Sequence, residues 1–197
     1  MEDSVFKRVL LLYGAYVLVH NAVYVFSYYL LPTGLLRGAS PTASVAAAPS
    51  SSGGQFALTV LFNLGMVAAV GAGLNLVCVR QMPLGYLIPV AAGIMTGLVL
   101  GTDSFVYAGA MQVPLREGLA LGYVTGELEV LGYVCIVAAT AGISIYRYDS
   151  WRQLRGTKTR RLKDVRLTGA EAVVLVLGAV FIILGAVVET MIASQLR

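Results

Sequence analysis

Long apolar stretches, interrupted by one strongly basic loop, constrain this chain more than any other feature of its sequence. Several stretches exceed the roughly 18 apolar residues that mark a membrane-spanning helix. The loop between them, 146–167, carries eight of the fourteen Lys and Arg residues: Arg147, Arg152, Arg155, Lys158, Arg160, Arg161, Lys163 and Arg166. Because clusters of Lys and Arg in short loops stay in the cytoplasm, this basic loop predicts the orientation of an integral membrane protein.

The composition excludes an ordinary soluble domain. The chain is 58% apolar and 12% charged, whereas about a quarter of the residues in a soluble domain are charged. The basic residues lack the interleaved aromatic residues of a nucleic-acid-binding surface, so we expect contact with membrane lipid and no nucleic acid partner. Two cysteines and one histidine, His20, argue against a disulfide framework or a metal site. No cofactor is expected.

Five spans can be drawn, which predicts an all-α polytopic protein forming a single transmembrane domain. They cover about 9–31, 56–79, 84–101, 119–145 and 169–193. With the basic loop inside, eleven basic residues lie inside and three outside, the latter being Arg37, Arg116 and Arg197. Four or six spans match this positive-inside pattern less well. The N-terminus, Lys7, Arg8 and Arg80 are therefore predicted to be cytoplasmic, and the C-terminus outside.

The remaining segments are assigned to the membrane surface. The first apolar run is longer than the core of a signal peptide, which is about 7–15 residues, so we expect a true span. Segment 32–55 is rich in Ser, Ala, Pro and Gly and predicts an external linker. Segment 103–113 is too short to cross and predicts a short interfacial or re-entrant helix. Interface anchors are expected among Tyr13, Tyr16, Tyr24, Tyr28, Tyr29 and Trp151.

Glycines at four-residue spacing form two stripes in neighbouring spans. The third span carries Gly93, Gly97 and Gly101, and the start of the fourth carries Gly118, Gly122 and Gly126. Residues four apart share one helix face, and glycine allows two helix backbones to approach closely. We expect the two spans to pack on each other or on a partner subunit. A conduction path or substrate groove is the alternative.

Polar residues inside the spans form a candidate site. Helical rise places Asn63, Glu127, Glu129 and Glu189 in the outer half of the membrane. An ionisable group in hydrocarbon costs about 2.5–3.5 kcal/mol by insertion scales, so each needs a partner or a role. The cluster is interpreted as a hydrogen-bonded network that fixes helix register, or as an ion, proton or ligand site. His20 and Asn75 are further polar residues at membrane depth.

No motif of a soluble enzyme is present in the sequence. It contains no phosphate-binding glycine loop, no H-E-x-x-H and no cysteine pair at metal-ligand spacing. Glu127 and Glu129 are two residues apart on a helix and point to different faces, which argues against paired catalytic carboxylates. The chain is therefore not expected to be an enzyme.

Four segments carry a resemblance to a known family. Residues 61–64 are similar to a Phe-x-Asn-Asn stretch, and a Gly-rich third span follows. Residues 125–142 are similar to a His-Gly-x-x-Glu motif before an Ala-rich run that ends in Gly, and residues 187–189 to a terminal Ile-Glu. In this order the segments resemble the stage II sporulation protein M family of bacterial and archaeal integral membrane proteins, over about residues 56–192.

The resemblance implies that Asn63, Gly126, Glu129 and Glu189 occupy family positions. Thr125 stands where the family has His, so no histidine role carries over. The family implies a non-enzymatic membrane component, and its named member acts in a membrane complex with cell-wall hydrolases. The expected function is therefore a structural or scaffold subunit of a membrane complex, either as a homo-oligomer or as a subunit among other chains. The alternatives are a transporter or channel using the acidic cluster, and an accessory subunit of a larger membrane enzyme complex.

Overall fold

The computed structural model describes residues 4–36, 52–104, 115, 117, 123, 126–153 and 155–195. This part of the chain is mostly helical. Its long helices are α1 Val5–Leu30, α2 Ser52–Gly65, α3 Leu87–Gly101, α4 Glu127–Thr140 and α5 Gly169–Gln195. A π-helical stretch, Met66–Ala72, continues α2, and single 3-10 turns occur at Leu84–Tyr86, Ala141–Ile143 and Leu162–Asp164.

Three helices are long and apolar enough to cross a membrane. They are Val5–Leu30, Leu84–Gly101 and Gly169–Met191, at the positions of the first, third and fifth predicted spans. The second predicted span is a shorter apolar helix, Phe56–Ala72, and α4 has 14 residues. A full crossing takes about 20 residues, so the apolar stretch Phe56–Ala72 and helix α4 are both shorter than a full crossing within the described residues.

The second and fourth helices end earlier than the predicted spans 56–79 and 119–145. Residues Val77–Val79 form a strand instead of a helix, and α4 tightens into the 3-10 turn before the chain extends toward strand Tyr146–Tyr148. Residues 105–114, most of 115–125 and residues 37–51 of the predicted linker 32–55 lie outside the described residues, and with them nearly all of the expected interfacial helix. The last residues of that predicted linker, from Ser52 onward, belong to α2.

A small sheet corrects the expectation of a purely α-helical chain. Its strands are β1 Val77–Val79, β2 Met82–Pro83, β3 Tyr146–Tyr148 and β4 Thr157–Lys158, in the order β2-β1-β3-β4. The two hairpins are antiparallel, and β1 pairs with β3 in parallel, with Cys78 opposite Arg147. The start of the basic loop is therefore paired, through its backbone, with the hairpin between α2 and α3.

Helix packing is organised around two pairs, α1 with α3 and α4 with α5. The central helix is α4, which also contacts α1, α3 and the π-helical stretch, while α2 packs on α5. Val134, Val137, Ala138 and Ala139 of α4 are fully buried. Small and β-branched side chains at these positions let the neighbouring helices approach α4 closely.

An ion pair joins the first and last helices at one end of the bundle. Arg8 donates to Glu171 Oε1 at 3.1 Å and to the carbonyl of Ala138 at 3.2 Å. Glu171 also accepts from the backbone N–H and hydroxyl of Thr168 at 2.9 and 3.0 Å, which forms a Thr-x-x-Glu capping box at the start of α5. The N-terminal ends of α1 and α5, the C-terminal end of α4 and the basic loop thus meet at the same end.

Candidate functional site

The acidic cluster is built on the first turns of α4. Glu129 accepts a hydrogen bond from Asn63 Nδ2 of α2 at 2.7 Å. Tyr133, one turn further along α4, donates its hydroxyl to Asn63 Oδ1. Because Glu129 and Tyr133 are four residues apart, they share one face of α4. Together they form hydrogen bonds with both the nitrogen and the oxygen of the Asn63 side-chain amide. Asn63 is buried, with 5% of its surface exposed.

Helix α5 brings the third member of the cluster. Gly185 lies so close to α4 that a Cβ placed there would be 2.5 Å from Glu129 Cγ. Glu189 follows one turn later on the same face of α5. Asn63 and Glu129 are therefore in direct contact, and Glu189 lies one turn beyond the point where Gly185 of α5 approaches Glu129.

Glu127 does not join this hydrogen-bonded group. Both of its carboxylate oxygens are buried, and they accept no hydrogen bond from any residue that the structure describes. Two residues along a helix correspond to about 200° of rotation, so Glu127 and Glu129 leave α4 in different directions. The described residues contain no group of three or more His, Cys, Asp or Glu side chains suited to a metal ion. The cluster has the chemistry to lock three helices together or to hold a proton.

The glycine stripe of the third span faces α1. A Cβ at Gly93 would lie 3.0 Å from the Tyr16 carbonyl, and one at Gly97 would lie 2.8 Å from the His20 carbonyl. At Gly101 it would overlap Ser27 Oγ, a group that donates to the Gly97 carbonyl at 3.0 Å. These three glycines thus allow a close helix contact, but with α1 and not with the fourth span, which was one of the two partners expected for the stripe.

The glycines of the second stripe are only partly described. Gly118 and Gly122 lie outside the described residues, and Gly126 is the residue that precedes α4. The close contact between α4 and α5 uses glycines that the sequence reasoning missed, namely Gly132, Gly178 and Gly185. Gly178 and Gly185 are seven residues apart, a helical repeat that the search for four-residue spacing does not detect.

A buried histidine lies in a row of tyrosines along α1. His20 Nδ1 is 2.8 Å from Thr96 Oγ1 of α3, and its ring lies between those of Tyr16 and Tyr24, at centroid distances of 5.6 and 6.4 Å. Tyr16 and Tyr24 are only 3% and 1% exposed. They are thus core residues of the α1–α3 contact and not the interface anchors expected from the sequence.

Comparisons of the chain with protein-family models, curated proteins and solved structures give no match.

Proposed function

We propose that this chain is a multi-pass membrane protein with five spans and a cytoplasmic N-terminus and basic loop. Three described helices have the length and apolarity of spans. In this proposal α2 with its π-helical continuation supplies the second span, and α4 with the residues before it supplies the fourth. The gathering of Arg8, Arg80 and the basic loop at one end of the bundle supports a common cytoplasmic side. The linker, which ends where α2 begins at Ser52, and the C-terminus then lie outside.

Within the membrane, the chain acts as a structural or scaffold subunit of a complex, without catalytic activity of its own. The observation that carries this function is the direct hydrogen bond between Asn63 and Glu129, extended by Tyr133. It joins α2 to α4 through polar groups that would otherwise be costly in the membrane. The resemblance of the same residues to the stage II sporulation protein M family supports this assignment.

The outward faces of the long helices support assembly with lipid or partner chains. On α1, Leu10, Leu11 and Leu18 are 71%, 63% and 73% exposed, and on α5 Val176 is 63% exposed. In a membrane protein such faces contact acyl chains or the helices of other subunits. A homo-oligomer or a complex with other membrane chains is therefore the assembly that we propose.

A transporter or channel is the second candidate function. It is favoured by the proximity of Glu189 to Glu129 and by Glu127, whose buried carboxylate has no hydrogen-bond partner among the described residues. Intramembrane carboxylates of this kind form proton and ion relays in transport proteins. An accessory subunit of a larger membrane enzyme complex would show the same features as a scaffold and differs only in the chains that bind it.

Purification in a mild detergent, followed by mass measurement, tests the assembly. We expect a particle whose protein mass exceeds the 20.8 kDa of one chain, containing several copies or a defined set of other membrane chains. Crosslinking in intact membranes serves as the control for subunits lost in detergent. A single chain in both measurements would contradict the scaffold function. Co-purification of redox or transferase subunits would identify the accessory-subunit alternative.

A further inference from the structure

A cavity lined by arginines opens at the end of the bundle that carries the basic loop. Its volume is about 400 Å³, and it lies between the start of α1, the β1–β2 hairpin, the chain after α4 and the residues after β4. Four arginines line it: Arg8, Arg80, Arg147 and Arg160. These residues come from four separate parts of the sequence, so only the folded chain brings them together.

The sheet determines where the arginines lie. Arg147 occupies β3, opposite Cys78 of β1 and Thr157 of β4. Arg80 follows β1, and its backbone N–H donates to the Tyr148 carbonyl at 2.6 Å. The backbone of Arg80 has a φ of 58°, a conformation that usually selects Gly, Asn or Asp. The hairpin joins β1 to β2 through two residues only, Arg80 and Gln81, and such a turn requires a positive φ at its first residue.

The charges that line this cavity are not balanced. Arg8 is paired with Glu171, but no carboxylate pairs with Arg80, Arg147 or Arg160 in the part of the chain that the structure describes. Burial raises the pKa of the Cys78 thiol, although nearby Arg147 opposes this shift. Cys78 thus adds no negative charge near neutral pH, and the three arginines remain uncompensated.

The hydrogen-bond donors available to a ligand are the guanidinium groups and the side-chain amide of Gln81. Two hydroxyls of the cavity wall already have partners, since Ser144 Oγ donates to the Asn75 carbonyl at 3.0 Å and Thr159 Oγ1 donates to the Ile145 carbonyl at 3.0 Å. Planar guanidinium groups bind phosphate oxygens through two parallel hydrogen bonds. Basic pockets on the cytoplasmic side of membrane proteins also suit phosphorylated lipid head groups.

We propose that this cavity binds a phosphate-bearing anion, held by Arg80, Arg147 and Arg160. The ligand is either the head group of an anionic phospholipid or a free phosphate compound such as pyrophosphate. Because it rests on the sheet and the arginines alone, the site is independent of the scaffold function proposed above.

The test uses the full chain in a neutral detergent, at an ionic strength held constant with sodium chloride. The probes are pyrophosphate and a short-chain phosphatidylglycerol, with short-chain phosphatidylcholine as the zwitterionic control. We expect at least one anionic probe to raise the unfolding temperature of the wild-type chain. Pyrophosphate alone would identify a free phosphate ligand, phosphatidylglycerol alone a lipid head group, and both a general phosphate site. No rise with either probe would overturn the proposal.

Matched variants separate the cavity from general charge attraction. Arg147→Gln should raise the dissociation constant of whichever anionic probe stabilises the wild-type chain, by about tenfold or more. The reason is that a charge-assisted bidentate contact is lost. Lys163→Gln removes the same charge from the basic loop outside the cavity and should leave the constant nearly unchanged. Equal weakening by the two substitutions would overturn the proposal.

A third variant separates the loss of a binding contact from the loss of folding. Arg80→Gly suits the backbone conformation of the hairpin, so the unliganded chain should unfold at the wild-type temperature or above it. The same variant should bind the probe about tenfold more weakly. Wild-type affinity in Arg80→Gly would show that the strained arginine has no part in binding and would contradict the site as described.

Discussion

At the scale of single residues, buried polar side chains connect secondary-structure elements through hydrogen bonds. Asn75 is fully buried, and its Nδ2 donates to the Val137 carbonyl at 2.9 Å and to Thr140 Oγ1 at 2.8 Å. Its Oδ1 accepts from the Gly85 N–H at 3.1 Å. One amide thus ties the turn after α2 to the end of α4 and the start of the third span. The hydrogen bond between Asn63 and Glu129 connects α2 to α4 in a comparable way.

The hydrogen bond between Asn63 and Glu129 leads to a prediction for two substitutions of Glu129. Glu129→Gln keeps an oxygen that accepts from Asn63 Nδ2, so we expect the unfolding temperature to stay close to that of the wild type. Glu129→Ala leaves the buried Asn63 donor without its partner, which costs about 1–3 kcal/mol. Thermal unfolding in detergent measures the difference between the two variants.

Proton or cation flux in liposomes provides the second measurement for the same variants. If the cluster is structural, neither the wild-type chain nor Glu129→Gln should show flux above that of empty liposomes. A wild-type flux that Glu129→Gln abolishes without changing stability would favour the transporter or channel over the scaffold.

The sequence predicts part of this site and misses part of it for physical reasons. Helical rise placed Asn63 and Glu129 at one depth, because depth depends only on position along a span. Tyr133 was missed because a tyrosine in an apolar helix looks like packing, and its hydroxyl acts only once Asn63 is opposite. Arg8 and Glu171 are 163 residues apart, and no local pattern connects them.

At the scale of elements, helices were predictable and strands were not. Apolar runs located the five long helices of the described residues, since each lies within a long stretch of apolar residues. The strands are two or three residues long, too short to show an alternating pattern. The glycine stripe of α3 predicts a close contact with another helix. Glycine spacing does not indicate which helix packs against α3. Its neighbour is α1, which provides the carbonyls of Tyr16 and His20 at the contact.

Alanine at Gly97 should loosen the contact between α1 and α3. The new Cβ would be 2.8 Å from the His20 carbonyl and 2.9 Å from Val23 Cβ, so the two helices must move apart, at a cost of about 1–3 kcal/mol. Gly14→Ala is the matched control, because nothing lies within 4 Å of a Cβ placed there. We expect a lower unfolding temperature for Gly97→Ala alone. Equal unfolding temperatures for the two variants would contradict the close packing.

At the scale of the whole molecule, the bundle has two chemically different ends. One end carries the capping box of α5, the Arg8–Glu171 pair, the sheet and the basic loop. The acidic cluster lies near the opposite end of α4, at its first turn. This polarity matches the uneven distribution of Lys and Arg, which orients a chain during membrane insertion.

Cysteine labelling in intact cells tests the orientation that this polarity predicts. Ser50→Cys should react with an impermeant maleimide from outside, and Lys163→Cys should react only after the membrane is permeabilised. The unsubstituted chain, with Cys78 and the buried Cys135, gives the background. Labelling of Lys163→Cys in intact cells would overturn the proposed topology.

The parallel pairing of β1 with β3 has a consequence for the order of events during synthesis. The β1–β2 hairpin is synthesised well before Tyr146, so one edge of β1 stays unpaired until β3 has been made. The ion pair between Arg8 and Glu171 forms later still, because Glu171 is synthesised 163 residues after Arg8. The end of the bundle that carries the sheet and the Arg8–Glu171 pair is therefore complete only after α5 has been made.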